Sequence, residues 1–102
     1  MPSLHLVERQ DYIKRVADGS GEYESGYWAV SKDTAERLVG GDLYLHKGQD
    51  KPSHFGGKIV SFRLEQDGEF NGRIIFRFRA SMEHKSVRTG PEKWGNEKKI
   101  DW

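Results

Sequence analysis

The sequence predicts an α+β domain: a small mixed or antiparallel twisted β-sheet or open barrel carrying one or two short helices. Three observations point there. Two segments, Lys58 to Leu64 and Arg73 to Ala80, alternate apolar and polar residues with the period of two of a half-buried strand. Between Tyr27 and Val39 an aromatic, β-branched run passes into a short amphipathic stretch, as a strand handing over to a helix does. Hydrophobic residues make up 34% of the 102 and charged ones 32%, so there is material for one core, built largely on five Phe, four Tyr and three Trp.

Taken in order, Leu4 to Asp18 carries Tyr12, Ile13, Val16 and Ala17 at i, i+1, i+4 and i+5, a one-sided spacing that predicts a short helix packed on the sheet. Gly19 to Gly26 lacks periodicity and reads as a loop. Residues 1–25 are thus expected to be an N-terminal helix and loop, and residues 26–102 the core and tail of the same single domain. Tyr27 to Val30 reads as a strand. Ser31 to Thr34 offers capping oxygens, with Asp33 and Glu36 spaced as a capping box, and Ala35, Leu38 and Val39 line one side of a helix that stops at Gly40-Gly41. Leu43 to His46 is a second strand, and Lys47 to Gly57 a long loop.

Lys58 to Leu64 and Arg73 to Ala80, joined by a turn at Gln66 to Glu69, predict an antiparallel hairpin. Val60, Phe62 and Leu64 should face the core with Ile74, Phe76, Phe78 and Ala80; Arg63, Arg73, Ile75, Arg77 and Arg79 should face away. The tail is polar but holds Val87, Trp94, Ile100 and Trp102, which suggests one more strand at Lys98 to Trp102.

Several function classes are excluded at this level. No apolar run of about 18 residues and no leader of signal type occurs, so no membrane partner and a cytoplasmic address are expected. The absence of cysteine removes disulfides, thiolate chemistry and Cys-ligated zinc. His46, His54 and His84 match no metal-ligand spacing, and no glycine-rich phosphate motif or serine elbow occurs, so neither a metal, a cofactor nor a catalytic residue is assigned. With 17 Lys and Arg against 16 Asp and Glu there is no global field for nucleic acid, and any basic surface must be local.

Three local sets remain. Arg63, Arg73, Arg77 and Arg79 on one sheet face could fork onto phosphates, or be a solvated face paired with Glu65, Glu69 or Glu83. The segment His46 to Gly57 brings Lys47, Lys51, Ser53, His54 and Phe55 together in a flexible loop suited to an anionic or polar ligand, or is an ordinary connection. The rings of Tyr27, Trp28, Tyr44, Phe55, Trp94 and Trp102 could sandwich a base or pack inside; Tyr27 and Trp28 point to opposite faces of one strand, so at least one leaves the core or is covered by the tail.

The order Tyr27-Trp28-Ala29-Val30, helix, Gly41-Asp42-Leu43-Tyr44-Leu45-His46, glycine-bearing loop and Gly57-Lys58-Ile59-Val60 resembles the PUA-like superfamily, and within it the EVE and ASCH families. The likeness runs from about Tyr27 to Ala80; the long middle insert of EVE domains, with its Arg-Asn motif, is absent. It implies a non-catalytic module that holds a nucleotide, RNA or single-stranded or modified DNA. Trp28, Tyr44 and Phe55 would stack on a base, His46 and Ser53 would bind its edge, and Lys47, Lys51, Arg63, Arg73, Arg77 and Arg79 would meet phosphates. Two other classes use the same groups: a protein-interaction module, such as an inhibitor or adaptor of phage or plasmid origin, and a small RNA-processing enzyme using His46, His54 or His84.

Overall fold

The alternating segments become strands in the computed structural model, which describes residues 1–9, 12–16 and 21–102. The strands are β1 (Ser3–Val7), β2 (Ile13–Arg15), β3 (Glu22–Trp28), β4 (Asp42–His46), β5 (Ser53–Leu64), β6 (Ile74–Ala80) and β7 (Lys98–Asp101), and the α-helix among the described residues is α1 (Lys32–Leu38). All seven strands form one mixed sheet in the order β2-β3-β6-β5-β4-β1-β7. β1 runs parallel to β4, and every other pair of neighbours is antiparallel. No helix among the described residues is long and apolar enough to cross a membrane.

The sheet curls around its own apolar face. Leu4 and Leu6 of β1, Leu43 and Leu45 of β4, Ile59 of β5, and Ile74, Phe76 and Phe78 of β6 meet there, with Val30 and with Ala35 and Leu38 of α1. The curl carries the start of β7 back to the end of β3, where the Lys98 ammonium donates to the Ala29 carbonyl at 3.0 Å. Close backbone crossings make the curvature possible. At Gly57 of β5 a side-chain carbon would overlap the Arg79 carbonyl of β6, so only glycine fits.

α1 is capped by Ser31, whose Oγ accepts the Thr34 amide at 3.2 Å, rather than by Asp33, which lies in the first turn. The chain leaves the helix through Gly40 at φ +90°.

Four expectations need correction. The helix expected over Leu4 to Asp18 is instead β1 and β2, with Gln10, Asp11, Ala17 and Asp18 outside the described residues. β1 lies between β4 and β7 with both faces covered, His5 and Val7 being as buried as Leu4 and Leu6, so its residues show little alternation. The expected loop from Gly19 to Gly26 becomes most of β3, Gly19 and Ser20 lying outside the described residues, and the expected loop from Lys47 to Gly57 is half strand because β5 starts at Ser53. Finally, the hairpin pairs antiparallel as expected, but a register shift between Ile59 and Ser61 turns Ile59 into the core and leaves Val60 and Phe62 half-buried. Ile75, expected outside, is buried because the bulged end of β3 covers it, its Cγ1 lying 3.0 Å from where a Gly26 side chain would begin.

Candidate functional site

β3 ends irregularly, with a register shift against β6 between Ser25 and Trp28. After that bulge Trp28 rejoins the ladder opposite Ile74, and with Tyr27 it lines a cleft of about 740 Å³ shared with Ala29, Val30, Arg73, Gly95, Asn96, Glu97 and Lys98. The Trp28 indole N–H donates to the Ser25 hydroxyl at 3.1 Å, which fixes the plane of the ring. Behind it, the Tyr27 and Phe70 rings stack at 4.5 Å with Tyr12 edge-on to both. The Arg73 guanidinium has no hydrogen-bond or ion-pair partner among the described residues, while the Lys98 ammonium keeps two N–H groups beyond the one given to Ala29.

A second hollow of about 450 Å³ adjoins this cleft, sharing Tyr27, Trp28 and Glu97 and adding Glu8, Tyr12, Gly26, Glu69 and Phe70. The combined groove is therefore aromatic in the middle, cationic at the Arg73 and Lys98 end and acidic at the other. Such a surface can stack a flat ring and hold an anionic and a donor-bearing group on either side of it.

The other expected ligand residues lie elsewhere. Tyr44 is sandwiched between the rings of His5 at 4.8 Å and His84 at 4.9 Å. His46 is fully buried, with its Nδ1–H donated to the Lys51 carbonyl at 2.8 Å and its Nε2 at 2.9 Å from His5 Nδ1. A carbonyl only accepts, so neutral His46 carries its proton on Nδ1 and His5 must donate to Nε2. Burial, then the neighbouring His46, pushes His5 down to about 4, and burial lowers His46 as well. Ser53 donates to the His84 carbonyl at 2.6 Å and accepts the Val87 amide at 2.9 Å, tying the tail to β5. Phe55 packs on Tyr23 and Phe78. Tyr44 and His46 do come together with His5, but neither they nor Ser53 and Phe55 line the Trp28 cleft.

His84 donates its Nε2–H to Asp42 Oδ1 at 2.9 Å, and Lys58 donates to the same oxygen at 3.0 Å. Burial pushes the Asp42 carboxyl up, but these two bonds outweigh it and hold the group below its usual range. Among the described residues no cluster of three or more metal-ligating side chains occurs.

The basic set divides too. Arg63 forks onto both oxygens of Glu24, and its hydrogen bond is the main reason the Glu24 carboxyl lies low. Arg77 and Arg79 both bond Glu22. The partners are thus residues of β3, not the Glu65, Glu69 or Glu83 expected, because β3 pairs with β6 and sets Glu22 opposite Arg79 and Glu24 opposite Arg77. Lys47 and Lys51 sit on the exposed turn before β5, each giving its carbonyl to a side chain, Arg9 and His46 respectively. Only Arg73 of the six joins Trp28 in the cleft.

What sequence reasoning missed is the other wall: Gly95 to Lys98 and Glu8. The tail residue Trp94 and the strand after it signalled packing, but nothing local tied them to Trp28. No protein-family model, no curated protein and no solved structure matches the chain.

Proposed function

We propose that this chain is a non-catalytic binding module of PUA-like type that holds a nucleotide, or one nucleotide of a single strand, in the Trp28 cleft. The observation that carries the reading is a pinned tryptophan ring in a roomy cleft beside a guanidinium without a partner among the described residues. A base stacks on Trp28, and its phosphate meets Arg73 and Lys98. The histidines support binding over RNA cleavage: none lines the cleft, and His5 and His46 spend their inner nitrogens on each other and on Lys51.

The test is isothermal titration of the protein with short single-stranded oligonucleotides and with the matching duplex. Single strands should bind more tightly, because Trp28 needs an unstacked base. Trp28→Ala should weaken binding by about 10-fold or more, the value of one stacked base. Because the ring also packs on the core, the substitution should lower the melting temperature, so binding is compared well below that temperature. Absence of binding at low salt contradicts the reading, and moves the cleft to a protein partner.

A further inference from the structure

Resting on that reading, the geometry points to the base it takes: we propose that the cleft selects guanine, held at its paired N–H edge by the Glu97 carboxylate. The two ends of the groove are chemically opposite. Arg73 and Lys98 line one and Glu8 and Glu69 the other, while Glu97 lines both and holds Arg9 through one oxygen. Ionised carboxylates accept hydrogen bonds and cannot donate, so the acidic end repels phosphate and takes an edge rich in donors. A ligand spanning both ends therefore has one orientation, phosphate at Arg73 and base edge at the carboxylates.

Glu97 lines both compartments, together with Tyr27 and Trp28, and is the one carboxylate that does so. Its Oε1 takes the Arg9 guanidinium at 3.2 Å, and its Oε2 has no partner among the described residues. The Arg9 pair is more than half exposed on both sides, so it orients the carboxylate while contributing little energy that a ligand must displace. The bases differ at this edge. Guanine presents N1–H and an N2 amino hydrogen side by side, matching the two oxygens of a carboxylate. Adenine and cytosine present one amino donor next to a ring nitrogen lone pair, and uracil one N–H between two carbonyls; each sets an acceptor against the carboxylate. A site built on hydrogen bonds of this kind rejects analogues that lack a donor far more strongly than stacking alone can.

The experiment is a calorimetric competition among guanosine, inosine and uridine 5′-monophosphates, with the Glu97→Gln and Trp28→Ala variants. Inosine lacks only the N2 amino group. Guanosine monophosphate should bind about 10-fold or more tightly than inosine monophosphate, and that more tightly than uridine monophosphate. Glu97→Gln, at an exposed position, should bring guanosine down to the inosine level at unchanged melting temperature, and Trp28→Ala should weaken all three. Equal binding of the three, all weakened by Trp28→Ala, overturns the guanine assignment and leaves the nucleotide cleft standing. A guanosine preference that survives Glu97→Gln overturns it as well. No binding of any of them at millimolar concentration overturns both readings.

Discussion

His5 and His46 form a chain in which each proton has one place to go: His46 gives its Nδ1–H to the Lys51 carbonyl, and His5 gives its own to His46. A proton added to His5 must enter at Nε2, where the Asp101 carboxylate stands at 4.0 Å and the Lys99 ammonium opposes it. Both imidazoles bind a proton more weakly folded than unfolded, so the unfolded chain takes up more protons between pH 6.5 and about 4. Their contribution to stability is complete above that window and falls as pH drops through it, by up to about 3 kcal/mol for His5. Urea unfolding at pH 7.5 and 4.5 should show this loss, and His5→Phe, which keeps a ring on Tyr44, should flatten the dependence. Equal pH slopes for the variant and the parent would contradict the buried chain. At the same scale, Glu22 is the buried hub of the arginine face, 8% exposed and bonded to Arg77 and Arg79. Arg77→Ala should therefore cost about 2 kcal/mol in the same assay, through a buried carboxylate left short of its donor.

Among the elements, β5 and β6 dominate, and two substitutions test why. Phe76→Ala, at the centre of the core, should cost on the order of 3 to 5 kcal/mol through lost burial and a cavity. Gly57→Ala should cost at least about 2 kcal/mol although it adds a methyl group, because the new carbon meets the Arg79 carbonyl; a neutral result by urea unfolding would rule out the close crossing. These strands were legible because apolar and polar residues alternate along most of their length, and so were α1, with Ala35 and Leu38 buried and its closing glycines, and β7; Val39, expected on the same buried side, is instead the exposed C-cap. β1 was not, since a strand covered on both faces loses its alternation. β2 was not, since Tyr12, Ile13 and Val16 happen to fall at helical spacing, a weak local preference that pairing with β3 overrides. Of the site, Trp28 and Arg73 could be read from aromatic and basic residues beside the strands. Glu97 and Lys98 could not: they lie 69 residues from the segment they face, and only the curl of the sheet joins them.

For the whole molecule, a net charge of +1 and arginines already committed to glutamates leave few cations for an anionic ligand. If Arg73 and Lys98 alone meet phosphates, the logarithm of affinity for a single strand should fall with the logarithm of salt at a slope of about −1.4. Arg73→Ala should roughly halve that slope, whereas Arg79→Ala should leave it unchanged. The central claim, that the ligand site is the Trp28 cleft and not the Tyr44 to Phe55 region, is tested most directly by a ¹H–¹⁵N NMR titration with guanosine monophosphate. The account predicts shifts at the Trp28 indole N–H and at the amides of Ala29, Val30, Arg73 and Gly95 to Lys98, with Tyr44, His46, Ser53 and Phe55 unmoved. Shifts centred on those four residues, or none at saturating nucleotide, would contradict it.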